Sequence, residues 1–471
     1  MRNVNRFSIH YFILFPAIAM LLGWGLRGYI GGGPFAAMIP GVFVALGFSL
    51  VFGHDVRTAA IVAMFGALGV GYGGDMTYGQ TLGLAKEIDT RAWGFLGVTI
   101  KGGVWGLLGG AVLGAGLARQ VFSKKTLSIA FLITIVAFYI GWKFINEPKL
   151  IYFSDPLNKP REESWAALLF AAIAFLAYLR VKSDGPGSEL PLRFALWGGL
   201  GGALGFGIGT MWLVYGPAIP FNQKWWGWWK MMEFTFGLLL GAGLGIAGWR
   251  NREQCTRTAS GDTPDRETWW PVVAAVLFIA AMFLFVGFVI EGLAGGSYLP
   301  LVKYAVTDVF RIVGSFIFLG AVCFLVGLRS VRAAWQIAIT LTFFHTVFDL
   351  VQDFSGEKPE SGFHLPTWAL IVALFGWTAA MGVAVARVAS GERVISRMYL
   401  LILWVCYAVA TARTFVQREV LLPGDGPGFF AYFFVDNPST LVMHLIFTVS
   451  AIITTVYIRQ LQRLAPEAVG S

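Results

Sequence analysis

The sequence predicts an all-α polytopic membrane protein of about fourteen transmembrane helices with its N- and C-termini inside. Three observations carry this expectation. Apolar stretches of about 20 residues, enough to cross a hydrocarbon core of about 30 Å, recur along the whole chain. Of the 471 residues, 57% are hydrophobic and only 13% charged, whereas a soluble surface takes about 25% charged residues. Basic residues alternate from loop to loop in the way that orients spans. The apolar runs are continuous, unlike the short alternating strands of a membrane β-barrel.

In chain order, spans are expected over 9–29, 34–53, 58–74, 93–118, 126–145, 164–181, 191–215, 227–249, 270–292, 304–328, 332–352, 366–388, 397–415 and 438–459. With the N-terminus inside, every inside segment or its flank carries Lys or Arg, from Arg2 and Arg6 through Arg57, Lys124, Arg250 and Arg329 to Arg459. The loops expected outside are longer and more acidic, with Glu147, Glu162, Glu163, Glu357 and Asp436 among their charges. This alternation requires an even number of spans; one pair more or fewer would preserve it. The first apolar run, from Tyr11 to Leu22, resembles a signal peptide. It continues through Trp24, Gly25 and Arg27 with no small-residue cleavage site, so it reads as a retained first span.

The net charge of +9 invites a nucleic-acid reading. Most of the excess sits in loops on one side, and no soluble basic domain exists to carry such binding. The expected partners are the lipid bilayer and a small polar solute or a lipid-linked substrate, with no nucleic acid. Cys255, Cys323 and Cys406 are isolated and show no CxxC or metal spacing, so neither disulfides nor thiol redox chemistry is indicated. No cofactor is expected. With no sorting signal, a bacterial inner membrane is the default location.

Glycine divides the chain. Residues 1–250 hold 42 of the 59 glycines and read as a glycine-rich block of about eight helices. A polar inside loop over 251–269 follows, then a plainer block of about six helices over 270–471 with a short inside tail. Within the first block, GALGVGYG at 66–73 matches GALGFGIG at 202–209. An aromatic turn follows each (Met76 to Gly79, Met211 to Gly216), and then a further glycine-spaced helix, from Gly106 and from Gly237. A same-orientation duplication of spans 1–4 and 5–8 accounts for the order. Shared composition of glycine-rich membrane helices is the plainer alternative.

Glycine at four-residue spacing lets helix backbones approach closely in lipid, and Gly102, Gly106, Gly110 and Gly114 fit that, as do Gly237, Gly241 and Gly245. Gly69, Gly71, Gly73 and Gly74 are spaced differently. Each glycine costs a helix about 1 kcal/mol, so an interrupted span is expected here and at the matching place in the second copy, a pattern that marks transporter binding sites. GWGLRGYIGGGP, from Gly23 to Pro34, extends the argument to the end of the first span. Without a βαβ setting its glycines make no phosphate loop.

Ionisable residues within spans are costly and are functional candidates by default. Those in spans or at their ends are Arg27, Asp75, Lys101, Glu233, Asp308, Arg311, His345, Asp349 and Asp353. Lys101 and Glu233 hold nearly equivalent places in the two copies, which suggests an ion pair, either structural or opened by substrate. His345, Asp349 and Asp353 lie along one helix face, and Asp308 and Arg311 should stand at similar depth. That cluster could be a proton or cation relay, a substrate contact, a metal site, or in part a solvated helix end. Under this topology all the candidates fall in the outer half of the membrane. Trp212, Trp225, Trp226, Trp228 and Trp229 gather at one outer turn, as interfacial anchors or as a stacking surface for sugar or headgroup.

No motif names a reaction. The leading expectation is a transporter or permease for a small polar or anionic solute, with Arg27, Lys101 and helix ends as donors to the solute. In it, Asp308, Asp349 and His345 would couple transport to protons. The outer skew equally suits a membrane enzyme acting on a lipid or lipid-linked substrate at the outer leaflet, with His345, Asp349 and Asp308 as acid–base groups. A structural subunit of a membrane complex would need none of these charges.

Overall fold

The computed structural model describes residues 8–156, 160–182, 185–220, 223–256, 316–355, 361–416, 420 and 428–464. The structure is 83% helix, and the described residues contain no strand, as the all-α expectation requires. Twelve described helices are long and apolar enough to cross a membrane. They coincide with twelve of the fourteen expected spans. The span expected over 270–292 lies outside the described residues. Of 304–328, only the helix Phe316–Gly327 is described.

The helices are α1 (Ile9–Ile30), α2 (Gly33–Phe52), α3 (Val56–Tyr72), the short α4 (Gly79–Lys86), α5 (Arg91–Leu117), α6 (Lys124–Gly141), α7 (Trp165–Lys182), α8 (Leu190–Tyr215) and α9 (Trp228–Arg250). Then come α10 (Phe316–Gly327), α11 (Val331–Gln352, with a π turn at Gln336–Thr340), α12 (Thr367–Ala389), α13 (Val394–Val416) and α14 (Pro438–Leu464). Several starts are set by local chemistry. Asp55 caps α3 by accepting from the Thr58 amide at 2.7 Å, and Ser123 caps α6 from the Thr126 amide at 3.0 Å. Pro34 stands in the first turn of α2, where its missing N–H costs nothing.

Six helices close a circuit: α1 packs on α2, α2 on α3, α3 on α5, α5 on α8, α8 on α9, and α9 back on α1. Glycine makes this possible. A Cβ placed on Gly102, Gly106 or Gly110 of α5 would lie 2.3, 1.9 or 2.2 Å from a backbone oxygen of α8. On Gly237, Gly241 and Gly245 of α9 it would meet carbonyls of α1 at 2.6, 2.4 and 2.4 Å. Both four-residue stripes therefore serve close backbone packing. The later helices cover one side of this circuit: α13 and α14 lie on α1, and α11 and α13 on α2. As a result α2 is buried along its whole apolar length.

The alternating glycines behave differently from the expectation. Over 66–73, α3 stays helical through Gly66, Gly69 and Gly71 and ends in a 3-10 turn at Gly73–Asp75. The similar segment 202–209 lies inside the unbroken α8. The reason is packing on more than one side. Gly66 meets the Gly41 carbonyl and Gly69 meets Val112, while Gly202 meets Gly102 and Gly205 meets Phe236. These contacts offset the local helix penalty, so each helix continues to a 3-10 turn at its end, at Gly73–Asp75 after α3 and at Gly216–Ala218 after α8.

Candidate functional site

Inside the circuit, one aromatic side chain from each of four helices converges. Trp24 of α1 lies 4.8 Å from Trp105 of α5 and 4.5 Å from Phe236 of α9, and Phe206 of α8 stacks on Phe236 at 3.8 Å. The Trp105 indole donates to the Val70 carbonyl at 2.8 Å, fixing the cluster to α3. Arg27 lies one turn beyond Trp24 on α1, and its side chain is buried against these rings. Its guanidinium carbon is 5.1 Å from the Trp24 ring, 5.9 Å from Trp105 and 6.0 Å from Tyr78.

Among the described residues no carboxylate pairs directly with Arg27; Glu233 reaches only as far as the Tyr78 hydroxyl that Arg27 also touches. Arg27 itself makes one hydrogen bond among the described residues, from a terminal nitrogen to the Tyr78 hydroxyl at 3.1 Å. Its Nε is buried without a partner, and so is the neighbouring Trp24 Nε1. Desolvation by its surroundings pushes the Tyr78 phenol above its usual range, and this outweighs the pull of Arg27. The phenol therefore stays neutral and cannot balance the guanidinium. Cation–π contact returns up to about 2 kcal/mol when desolvated, less than the several kcal/mol an unpaired buried ion costs.

Three other cations among the described residues nearby, one buried and two partly buried, are paired. Lys101 reaches Glu163 at 2.7 Å and also donates to the Thr77 carbonyl and the Thr81 hydroxyl at 2.7 and 2.8 Å. Glu163 further accepts from the Phe153 amide at 3.0 Å and the Ser154 hydroxyl at 2.9 Å. Lys230 pairs with Glu233 at 2.5 Å, and the Trp229 indole donates to the same carboxylate at 3.0 Å. Arg413 of α13 grips Asp353 with two nitrogens, at 2.7 and 2.9 Å, and donates to the Ile30 carbonyl at the end of α1 at 2.7 Å.

Two expectations are corrected here. Lys101 and Glu233 do not pair, because each finds a carboxylate or ammonium nearer along its own side of the bundle. Glu163, in the loop that precedes α7, is fully buried as the partner of Lys101. Asp353 is not a solvated helix end but a bidentate partner of Arg413, and Asp349 stands 3.5 Å from the same guanidinium. Asp308, Arg311 and the His345 side chain lie outside the described residues.

Asp75 ends the 3-10 turn that follows α3. Its carbonyl accepts from Ser164 at 2.8 Å, but its Oδ2 is buried with no partner. The turn meets the start of α2, since a Cβ on Gly74 would lie 2.4 Å from Pro34. Three residues further on, Tyr78 reaches Arg27. Around this junction Gly28, Gly32 and Gly79 are exposed, and no atom lies within 4 Å of a Cβ built on Gly32 or Gly33. Trp225, Trp226 and Trp229 are partly exposed, and Trp229 stacks on Tyr78 at 6.0 Å.

Tyr78, Glu163, Lys230, Arg413 and His444 are not among the residues expected at the site. The last three are ionisable residues inside spans, the property that singles out Arg27. His444 accompanies Tyr29, with ring centroids 5.2 Å apart, and its Nε2 is 3.0 Å from the Thr414 hydroxyl. Glu163 had one signal: it adjoins the start of a span. No family model, curated protein or solved structure matches this chain.

Proposed function

We propose that the protein is a multi-pass inner-membrane permease for a small anionic solute, bound at Arg27. The proposal includes fourteen spans with both ends inside, which puts the Arg27 junction at the outer face. One observation carries it: among the described residues Arg27 is a buried guanidinium with no carboxylate paired to it, and its Nε and the Trp24 Nε1 lack acceptors. An anion supplies both the missing charge and the missing acceptors. The exposed glycines at 28, 32 and 79 leave an approach to it. Lys101, saturated by Glu163, positions the Thr77–Thr81 segment instead of binding solute.

The partly exposed tryptophans beside the junction favour a second reading, an enzyme that stacks a lipid-linked headgroup at the outer leaflet. One experiment separates the two. Purified protein in liposomes should pass nitrate, lactate or sulfate down an imposed gradient, and Arg27→Gln should lower that flux at least tenfold. The permease reading fails if no probe crosses, and equally if Arg27→Gln leaves the flux unchanged. Cleavage of a polyprenyl diphosphate added to the same liposomes would point to the enzyme.

A further inference from the structure

Among the described residues, two ionisable groups flanking the α1–α2 turn lack counterparts, and they are of opposite sign. Arg27 is one. Asp75 is the other: its buried Oδ2 has no hydrogen-bond partner and it forms no ion pair among the described residues. Among the described residues nearby, Lys101 pairs with Glu163, Lys230 with Glu233 and Arg413 with Asp353. The two unmatched groups sit on either side of one contact. Arg27 precedes the α1–α2 turn and touches Tyr78, while Asp75 lies beside Gly74, which packs on Gly33 and Pro34 of that turn.

We propose that Asp75 is the proton-binding group of this site, so that one proton accompanies each monovalent anion taken up at Arg27. The inference rests on the anion reading above. In the empty site the charges of Arg27 and Asp75 cancel in sum. An anion on Arg27 leaves Asp75 as an excess negative charge in a medium where such a charge is expensive. A proton on the Asp75 carboxylate restores neutrality without moving any other group. A divalent anion would leave one negative charge over, facing Glu233 beyond Tyr78.

The groups around Asp75 leave it as the natural proton acceptor. On α3 the Tyr72 phenol is its neighbour, and α2 contributes only the backbone of Gly33 and Pro34. From α5 come Trp105 and Lys101, the latter held by Glu163. The residue before α7 contributes the Ser164 hydroxyl. Around Arg27 the titratable groups are Tyr78, then Glu233 with Lys230, and beyond Tyr29, His444. Glu233 is held by Lys230 and Trp229.

The test is anion binding by the purified full chain in detergent, read by tryptophan fluorescence between pH 5 and 8 with nitrate, lactate and sulfate as probes. Wild type should bind nitrate and lactate, with affinity falling about tenfold per pH unit above the titration of Asp75, and bind sulfate at least tenfold more weakly. Asp75→Asn should bind the monovalent probes with no pH slope. Asp75→Glu should restore the slope with a displaced midpoint, a readout that a merely structural residue would not give. A slope that persists in Asp75→Asn overturns the inference and leaves the anion reading standing. Tighter binding of sulfate overturns the one-charge stoichiometry. No binding of any probe by wild type, or binding that survives Arg27→Gln, overturns the anion reading itself.

Discussion

Replacing Lys101 by Met tests whether this buried cation holds the fold or serves the solute. Lys101 and Glu163 have side chains 1% and 0% exposed and stand 2.7 Å apart. Removing one partner of such a pair leaves the other as an uncompensated buried charge, which costs about 3–5 kcal/mol. Glu163 keeps the Phe153 amide and the Ser154 hydroxyl, which places the ion-pair loss near the lower end. The Thr77 carbonyl and Thr81 hydroxyl lose a donor as well, adding about 1 kcal/mol each. Lys101→Met should therefore destabilise by about 5 kcal/mol, and Glu163→Gln by a similar amount. The double variant removes both charges together and should cost only about 1–2 kcal/mol, since a neutral replacement of a buried pair is often tolerated. The two single effects should then exceed the double by several kcal/mol, as expected of residues in direct contact. Equilibrium unfolding of the purified protein in mixed micelles measures all three. Single variants that each cost less than about 1 kcal/mol, or costs that simply add, would refute the assignment of Lys101 as a structural ion.

Two further outcomes follow from the packing. Gly106→Ala places a methyl 1.9 Å from the Gly198 carbonyl, and neither backbone can yield because Gly102 and Gly110 fix the same spacing. The loss should be about 2–3 kcal/mol, while Gly103→Ala, whose nearest neighbour is a methyl at 3.4 Å, should be nearly neutral in the same unfolding measurement. His54, between α2 and α3, is fully buried, with its Nε2 2.8 Å from the Cys255 carbonyl, and burial lowers its pKa below the ordinary 6.5. The unfolded chain therefore binds the extra proton. Stability from this site is complete above about pH 6.5 and is lost as the pH falls from there toward the folded value, by at most about 1.4 kcal/mol per pH unit. His54→Gln should flatten that part of the stability profile, measured by unfolding at stepped pH.

The helices were legible because hydropathy and span length are local properties. Each of the twelve described spans lies within a few residues of its expected place. The glycine stripes at 102–114 and 237–245 were legible for a related reason: a four-residue spacing defines one helix face whatever it meets. The alternating glycines at 69–74 misled in part, since propensity counts the local cost of glycine but not the neighbours that compensate it. Arg413, Lys230 and His444 were open to the same test as Arg27, being ionisable residues inside spans. Their partners were not legible at all.

By itself the sequence determined that this chain is helical, with many segments long and apolar enough to cross a membrane. That follows from the free energy of placing each residue type in lipid, which depends on the residue and not on its partners. Only the tertiary structure decided which charges are satisfied. It spent Lys101 on Glu163 and Arg413 on Asp353, and it left Arg27 and Asp75 unmatched. Pairing is a property of side chains brought together from distant helices, so no spacing along the chain records it.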